Sequence, residues 1–274
     1  MHDPIDIALS EDIGAGDLTA EFFIEPNATA SARIFAKESC TLAGIETAAE
    51  VFRRVDASLT IETLRLDGNR LKLGDTVLTV HGKTSSIVTA ERVALNFLQR
   101  LSGIATLTAR YVAEIAGTNA SILDTRKTTP GLRLLEKAAV TAGGGTNHRI
   151  GLYDMVMVKD NHLLADANLD HLRAAIRRFK TVHPEKRVEL EADHLEQVKA
   201  FLTLEDVDVI LLDNMSLEEL RSAVLINQGK VGLEASGGVT LSTVAAIAAT
   251  GVDYISVGAL THSAIAIDFS LELS

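Results

Sequence analysis

Asp124-Thr125-Arg126-Lys127-Thr128-Thr129-Pro130-Gly131 follows a short apolar run, and so does Lys159-Asp160-Asn161-His162. Between them lies Gly143-Gly144-Gly145-Thr146-Asn147-His148-Arg149. A short apolar run with polar ends is typical of a buried strand. Charged side chains at the end of such a strand point out of the core, where a ligand can bind to them. Solvated loop charges are the usual alternative for Lys and Arg. In a chain with a formal net charge of −11, basic and His side chains gathered at these edges favour a binding site.

From residue 121 onward, short apolar strands alternate with helical patterns. The predicted strands span 121–123, 155–158, 188–192, 207–212, 231–235 and 252–257. The predicted helices between them span 132–142, 167–180, 194–203, 216–226 and 240–249. Repeated βα units of this kind imply a parallel sheet, which forms either an α/β barrel or a doubly wound sheet.

The residues before about 85 predict a small mixed α+β unit. We expect a helix and then a loop over 4–24, a helix over 44–55, and strands over 31–37, 59–65, 70–73 and 76–82. A long helix over 89–116 follows, with a kink expected at Ser102-Gly103. Because the tail 265–273 alternates again, we expect it to return to the first domain. The predicted domains are therefore 1–110, joined by the tail 265–274, and 111–264.

Composition argues against several functional classes. The chain has 37 acidic and 26 basic residues, no Trp and a pI near 5.2, which disfavours generic binding of nucleic acid. The only cysteine, Cys40, rules out an internal disulfide and a Cys-based metal cluster. We find no signal-peptide pattern and no run of roughly 20 apolar residues. We therefore expect a soluble, cytoplasmic protein with no membrane partner.

The carboxyl ends of the predicted strands share a polar character. In α/β barrels the active site lies at these ends. In chain order they carry Asp124, Arg126 and Lys127; Lys159; Glu189 and Glu191; Asp213 and Asn214; Ser236, Gly237 and Gly238; and Gly258. One polar strand end is ordinary, but the same feature on every strand indicates a shared ligand site.

The basic residues among them define the ligand. We expect a cationic wall made of Arg126, His148, Arg149 and Lys159. Arg binds carboxylates in a bidentate manner and Lys acts as a point charge, so the ligand should carry several carboxylates or phosphates. Glycines at 236–238 and at Gly258 fall on the last two strands, where barrel enzymes hold a phosphate. Ordinary βα turns are the alternative for these glycines.

Glu191 and Asp213 lie on neighbouring strands and offer the hard oxygen ligands that suit Mg2+. Glu189 shares a face of its strand with Glu191, and a buried structural ion pair with Lys or Arg is the alternative for Glu189. The sequence has no Walker motif, no Gly-x-Ser-x-Gly elbow and no Rossmann glycine motif. Covalent catalysis therefore has no obvious nucleophile.

These motifs make the chain resemble the quinolinate phosphoribosyltransferase family over nearly its whole length. The matching segments are Asn96 to Thr106, Asp124 to Arg133, Gly143 to Gly151, Lys159 to His162, Leu212 to Met215, Glu234 to Gly238 and Ser256 to Ser263. The connection Thr203 to Asp208 departs from the family pattern, because it lacks the usual glycine and is longer by about one residue. The alignment therefore leaves open whether Glu189 or Glu191 is the carboxylate on the ribose and metal side.

The resemblance implies an incomplete parallel α/β barrel with an N-terminal α+β open-faced sandwich domain. It implies a pentosyltransferase, nicotinate-nucleotide diphosphorylase (carboxylating), in de novo NAD biosynthesis. Its substrates would be quinolinate and phosphoribosyl pyrophosphate, and its products nicotinate mononucleotide, pyrophosphate and CO2. Mg2+ is the implied cofactor, and a homodimer or higher homo-oligomer with shared active sites is the implied assembly.

The resemblance also implies roles for individual residues. The quinolinate carboxylates would be held by Arg126, His148, Arg149 and Lys159, with Lys127 nearby. Glu191 and Asp213 would face the ribose and Mg2+, and the phosphate side would consist of Ser236, Gly237, Gly238, Gly258 and His262. The implied catalytic residues are Lys127, Lys159, Glu191 and Asp213. A family arginine that matches Arg92 reaches the neighbouring subunit's site, although pattern alone favours surface charge for Arg92 and Arg100.

Two other functions stay open at this point. A molybdenum-transport-associated paralogue shares the Arg-Lys-Thr and Gly-Gly-Gly segments but lacks the Lys-Asp-Asn-His run, which is intact at 159–162. A non-catalytic sensor of phosphosugars or pyridine dicarboxylates would keep the anion clamp without needing Glu191 and Asp213 together. The sequence does not decide between a dimer and a hexamer.

Overall fold

The structure, a computed structural model, describes residues 3–159 and 169–274. The chain divides into two compact units. The first, here called the sandwich unit, comprises Met1–Ala109, Thr128–Gly144 and Leu260–Ser274. The second, the barrel unit, comprises Arg110–Lys127 and Gly145–Ala259. The segment 128–144, which the sequence pattern groups with the βα repeats, thus packs in the sandwich unit.

The sandwich unit contains helices, short strands and the C-terminal strand. Its elements are α1 (Pro4–Ile13), α2 (Leu18–Phe23), β1 (Thr29–Ala36), β2 (Cys40–Thr41), α3 (Ile45–Val55), β3 (Thr60–Thr63), β4 (Arg70–Leu71), β5 (Thr76–Lys83), α5 (Arg133–Ala142) and β12 (Phe269–Leu273). Helix α4 (Thr84–Glu114) begins in this unit, and its last residues belong to the barrel unit.

An antiparallel sheet with the order β12-β1-β5-β3 forms the body of the sandwich unit. Strand β1 ends in alternating buried and more exposed residues, as expected for a sheet with one face on the core. Helix α3 covers that face with a buried stripe that includes Ala48 and Phe52. The tail strand β12 pairs with β1 from Ala32↔Leu273 to Ala36↔Phe269, so the chain ends in the sheet near which it began.

The loop predicted after the first helix is wrong in one part, since residues 18–23 form α2. The Asp17 carboxylate caps this helix by accepting a hydrogen bond from the Ala20 N–H at 2.9 Å. Thr89 Oγ1 donates to the same carboxylate at 2.9 Å. Asp is common in turns as well as at helix N-termini, which is why the local sequence suggested a loop. Helix α4 also begins earlier than predicted, at Thr84 instead of residue 89.

The barrel unit alternates strands and helices as the periodicity predicts. Its strands are β6 (Ser121–Leu123), β7 (Val156–Val158), β8 (Val188–Ala192), β9 (Val209–Asp213), β10 (Gly232–Ser236) and β11 (Tyr254–Ser256). Its helices are α6 (Leu169–Val182), α7 (Leu195–Phe201), α8 (Leu217–Asn227), α9 (Leu241–Ala248) and the first residue of α10 (Ala259–His262). The predicted bounds of these strands agree with the structure to within two residues.

The order of the parallel strands decides between the two folds left open by the sequence. The sheet runs β6-β11-β10-β9-β8-β7. Consecutive strands from β7 to β11 are neighbours, and the last strand returns beside the first, which is barrel winding and not the central reversal of a doubly wound sheet. Thr146 adds an isolated parallel bridge to Leu123 on β6. No pairing within 3–159 and 169–274 joins β7 to that segment, which confirms the incomplete barrel.

Within the same described ranges, no helix combines the length and the apolar character that crossing a bilayer requires.

Candidate active site

The carboxyl ends of the parallel strands bring most of the predicted ligand residues to one edge of the barrel unit, because parallel strands all end at the same edge. These residues are Arg126, Lys127, His148, Arg149, Lys159, Glu191, Asp213, Ser236, Gly237, Gly238 and Gly258. His148 and Arg149 reach it through Thr146, which bridges to β6.

Two predicted ligand residues belong to the sandwich unit, and three related residues have no described position. The Arg92 side chain is 59% exposed and lies 4.0 Å from the Glu91 carboxylate. His262 ends α10, and its Nδ1 shares a hydrogen bond of 2.7 Å with Ser263 Oγ. Asp160, Asn161 and His162 lie outside the described residues. Of that motif, only Lys159 can therefore be placed.

Lys159 forms an ion pair with Glu191 on the neighbouring strand. Glu191 is 8% exposed, whereas the Lys159 side chain is 41% exposed. A carboxylate buried to this extent is costly without a cationic partner. The pair therefore fixes the Lys159 ammonium at the open edge of the sheet.

His148 lies at the centre of a group of buried carboxylates. Its Nε2 lies 3.3 Å from Glu189 Oε2 and 3.3 Å from Glu234 Oε2. Glu189 and Glu234 are 1% and 2% exposed, and Ser256 Oγ donates a hydrogen bond to Glu234 Oε1. The His148 backbone N–H donates to Asp124 Oδ1 at 2.8 Å, and Asp124 is fully buried. Three buried carboxylates thus hold this one residue.

The second ring nitrogen of His148 fixes the tautomer. The backbone N–H of Arg149 donates to Nδ1 at 2.7 Å, so Nδ1 acts as the acceptor and Nε2 carries the proton that faces the carboxylates. Burial lowers the pKa of His148, but the two carboxylates outweigh burial and raise the value to about 9. A proton on Nδ1 would, however, direct two N–H groups at each other across the 2.7 Å contact. We therefore assign the neutral ring protonated at Nε2.

This tautomer determines what His148 can do. His148, Glu189 and Glu234 have ligand atoms within 4.8 Å of one another, a spacing that would suit a metal ion. A protonated Nε2 has no lone pair for a metal, so we describe a hydrogen-bonded cluster. The sequence predicts that His148 contacts a ligand directly. In the structure, both ring nitrogens of His148 already have hydrogen-bond partners within the barrel unit. Through Nδ1, His148 holds the backbone N–H of Arg149, the next residue.

Glu189 pairs with His148 and not with the Lys or Arg partner that the sequence suggested. Its Oε1 is buried and accepts no hydrogen bond from the residues that the structure describes. Burial raises the pKa of this carboxyl, the hydrogen bond from His148 opposes that shift, and the nearby Glu234 charge reinforces it. A cavity of about 90 Å³ adjoins the cluster, which gives water room to reach the unpaired oxygen.

Arg149 and Arg126 form the part of the edge that favours an anion. Burial lowers the pKa of Arg149 and the positive charge of Arg126 lowers it further, whereas the charges of Glu189 and Asp154 oppose the shift. The turn after Arg149 is fixed by Asp154, whose carboxylate accepts the N–H of Ile150 at 2.6 Å and the N–H of Gly151 at 2.9 Å. Two guanidinium groups that repel each other are stabilised by an anion placed between them. The two positive charges therefore favour an anionic ligand here.

Strand β10 ends in a glycine turn beside the end of β9. Ser236 pairs in register with Asp213. Gly237 has φ +96°, and a Cβ there would lie 2.6 Å from Asn214 Cγ, so only glycine fits. Gly238 has φ +60° and open space around it. The turn leads into α9, where backbone N–H groups at a helix N-terminus can bind a phosphate.

The interpretation of Arg100 as surface charge is wrong. In the sandwich unit, Arg100 donates to Glu136 Oε1 at 2.8 Å, to the Ala264 carbonyl at 3.2 Å and to the Thr261 carbonyl. Glu136, which is fully buried, also accepts the Thr129 N–H at 3.0 Å and the Thr129 hydroxyl at 2.7 Å. The pair thus fastens two loops whose sequence neighbours are predicted ligand residues. Helical spacing could not reveal these partners, because they are distant from Arg100 in the chain.

We predict that Arg100→Ala destabilises the protein by about 3 kcal/mol, because it leaves the buried Glu136 carboxylate without its cation. Arg110 is an exposed arginine on the same helix, and Arg110→Ala serves as the control. This substitution should change the free energy of unfolding by less than about 0.5 kcal/mol. Urea denaturation of both variants measures the difference. Equal effects of the two substitutions would show that the Arg100 pair is not a structural anchor.

The chain matches family models over almost its whole length. The models are Quinolinate phosphoribosyl transferase, N-terminal domain, over residues 17–102, and Quinolinate phosphoribosyl transferase, C-terminal domain, over residues 104–272.

Individual proteins agree with these models. The chain is 44% identical over 288 residues to the chloroplastic nicotinate-nucleotide pyrophosphorylase (carboxylating) of Oryza sativa subsp. japonica, covering 98% of this chain and 76% of that protein. It is 40% identical over 264 residues to the probable nicotinate-nucleotide pyrophosphorylase (carboxylating) of Bacillus subtilis, covering 96% and 90%. The crystal structure of NadC from Streptococcus pyogenes superposes with a TM-score of 0.92 at 41% identity, covering 98% of this chain and 95% of that one.

Proposed function

The chain belongs to the quinolinate phosphoribosyltransferase family, and from this premise we propose that it transfers the phosphoribosyl group of phosphoribosyl pyrophosphate to quinolinate. The products are nicotinate mononucleotide, pyrophosphate and CO2, and the reaction serves de novo NAD biosynthesis. Relatives with the name nicotinate-nucleotide pyrophosphorylase support this pentosyltransferase activity over a molybdenum-transport-associated role or a non-catalytic sensor.

The observation that carries the proposal is the pair of guanidinium groups, Arg126 and Arg149, gathered at the carboxyl-end edge of the barrel unit, where the charge of Arg126 lowers the pKa of Arg149. Quinolinate carries two adjacent carboxylates, which such a pair can bind in a bidentate manner. Lys159, held at the same edge by Glu191, supplies a third cation, and Lys127 follows Arg126 in the chain. These side chains would fix the acceptor with its ring nitrogen turned towards the ribose.

The chemistry requires placed charges more than a nucleophile. The pyridine nitrogen forms a bond to the anomeric carbon as the bond to pyrophosphate breaks, and the ribose passes through an oxocarbenium-like state. Glu191 and Asp213 would face the ribose, and the turn at 236–238 with Gly258 would face the phosphate. Orientation of the two substrates supplies a large part of the rate enhancement. When CO2 leaves, its bonding electrons stay on the ring carbon next to the Lys159 and arginine charges until a proton replaces it.

We propose Mg2+ as the cofactor, bound together with the pyrophosphate substrate. The donor set fits, because Glu191 and Asp213 are hard oxygen ligands on adjacent strands, and Mg2+ commonly uses one or two carboxylates plus substrate phosphates. Asp213 is the better placed of the two, since Glu191 is already paired with Lys159. When bound, the ion would neutralise charge that develops on the departing pyrophosphate.

We further propose a cytoplasmic homodimer or larger homo-oligomer in which Arg92 completes the site of a partner chain. The exposure of the Arg92 side chain, 59%, leaves its guanidinium accessible to a second subunit. The rice relative is named chloroplastic, so the compartment should be established by fractionation of the source cells.

We predict that the protein forms nicotinate mononucleotide and CO2 from quinolinate, phosphoribosyl pyrophosphate and Mg2+, and that nicotinate is a poor acceptor. Nicotinate has one carboxylate for two guanidinium groups, and an unpaired buried charge costs roughly 2–5 kcal/mol. The ratio of kcat/KM for quinolinate to kcat/KM for nicotinate measures this preference. Arg149→Gln should lower that ratio. Comparable turnover of nicotinate by the unaltered protein would contradict the anion clamp.

We predict that excess EDTA abolishes turnover and that added Mg2+ restores it. Asp213→Asn should raise the Mg2+ concentration needed for half-maximal activity, because a neutral amide is a weaker ligand for a hard cation. Glu218→Gln removes the same charge from the exposed start of α8 and should leave the requirement unchanged. Full activity in EDTA would exclude the metal.

We predict that Arg92→Ala folds and assembles normally, because an exposed guanidinium contributes little to stability, yet loses quinolinate affinity. A mixture of Arg92→Ala and Lys159→Ala proteins, each inactive alone, should regain activity. In a two-fold heterodimer, one site carries both substitutions and the other carries neither. If heterodimers form but the mixture stays inactive, Arg92 acts within its own chain.

A further inference from the structure

Asn214 has a positive φ, a backbone conformation that residues other than glycine seldom adopt. In the described part of the chain, positive φ angles outside glycine occur at Asp206, Asn214 and Gln228. Gln228 caps the C-terminus of α8, where the left-handed conformation is common. Asn214, with φ +53°, stands instead at the carboxyl end of β9. Backbone strain of this kind persists where the surrounding structure enforces it, often at a functional site.

The side chain of Asn214 explains why the strain is retained. Its Nδ2 donates a hydrogen bond to Asp213 Oδ2 at 2.7 Å, and its backbone N–H donates to the Ser236 carbonyl at 2.9 Å. Its amide fills the space where a Gly237 Cβ would lie, 2.6 Å from Cγ. Glycine at position 214 would adopt φ +53° without strain, but it could make neither side-chain contact. Asparagine is one of the few residues that tolerate this conformation and also hydrogen-bond locally.

We propose that Asn214 is a positioning residue that couples the Asp213 carboxylate to the Ser236-Gly237-Gly238 turn. The hydrogen bond to Oδ2 fixes the rotation of the carboxylate, and the amide packed on Gly237 fixes the shape of the turn. This assignment rests on the proposed function, in which both elements face phosphoribosyl pyrophosphate. Asn214 therefore governs binding of the sugar phosphate and not binding of the pyridine dicarboxylate.

Two substitutions at position 214 distinguish the effect of the hydrogen bond to Asp213 from the effect of the positive φ. Asn214→Asp keeps the size and tolerates the same φ, but it cannot donate to Asp213 when ionised. Asn214→Gly relieves the strain and removes both side-chain contacts. Gln228→Gly is the matched control, because it relieves the same conformation at an exposed helix end. A purely structural role predicts loss of thermal stability in Asn214→Gly, whereas positioning predicts a stable protein with weakened substrate use.

We expect both Asn214 variants to raise the KM for phosphoribosyl pyrophosphate, or to lower kcat, by roughly 10- to 100-fold, the usual effect of removing a group that orients a ligand. The KM for quinolinate should change by less than about threefold, a difference of under 1 kcal/mol. Calorimetric titration with phosphoribosyl pyrophosphate and Mg2+ should show the same weakening without turnover. Wild-type kinetics in Asn214→Asp, or equal increases in KM for both substrates, would overturn the assignment.

A double-mutant cycle that measures thermal stability tests the contact between Asn214 and Gly237 independently of activity. Gly237→Ala should destabilise the native protein through both its positive φ and the clash with the Asn214 amide. In the Asn214→Gly background the clash with the amide is removed, while the φ cost and the close approach to the backbone N of residue 214 at 3.0 Å remain. Gly237→Ala should therefore lower the melting temperature less. Additive effects would refute the contact. If the unaltered protein does not turn over quinolinate, the proposed function fails, whereas this cycle and the calorimetric titration still decide the role of Asn214.

Discussion

The buried carboxylates of Asp124, Glu189 and Glu234 converge on His148, and the placement of the arginine beside it depends on that convergence. Removing a carboxylate from water costs several kcal/mol unless hydrogen bonds replace the lost hydration. Here the ring and backbone N–H groups of one residue supply part of the replacement for all three carboxylates, and Ser256 also donates to Glu234. Because those N–H groups are shared among buried acceptors, movement of His148 would remove a donor from each of them. Arg149 inherits this rigidity through its own N–H, which is bound to the ring.

Side chains at two other strand ends are also held by partners within the barrel unit. Lys159 is fixed by Glu191 across the β7–β8 pair, and Asp213 is oriented by the amide of Asn214 at the end of β9. Each of these two groups is thus held in place by a partner on the neighbouring strand or the neighbouring residue. Parallel strands make this possible, since their carboxyl ends lie along one edge and adjacent strands bring such pairs within hydrogen-bond distance. Pre-organised charges of this kind suit a reaction whose transition state needs stabilisation more than a nucleophile.

Much of the fold and part of the site follow from local sequence pattern. Apolar runs and helical periods predict the barrel strands to within two residues, and the motif at Asp124-Thr125-Arg126-Lys127 correctly marks a strand end. The winding of the sheet does not follow from periodicity, because a barrel and a doubly wound sheet share the same βα rhythm until β11 is seen beside β6. The resemblance to the family predicted the barrel where the pattern left two folds open, and the observed strand order confirms it.

What the sequence missed are contacts between residues distant in the chain. The partners of His148 at Glu189 and Glu234 come from other strands, so no local spacing shows that its ring turns into the barrel. Arg100 has the helical position of a surface residue, and only the packing of Glu136 beside it reveals a buried pair. Helix α2 was missed for a different reason, since an Asp such as Asp17 is as common in turns as at helix N-termini. Side-chain partners on other elements decide the first two cases.

The most direct test of this account is a crystal structure of the protein with quinolinate bound. The account predicts the two carboxylates against the guanidinium groups of Arg126 and Arg149 and the ammonium of Lys159, with the His148 ring still bonded to Glu189 and Glu234. Quinolinate bound away from these cations would contradict the proposed site. A His148 ring turned out of its carboxylate cluster to bind quinolinate itself would contradict the claim that it acts by holding Arg149.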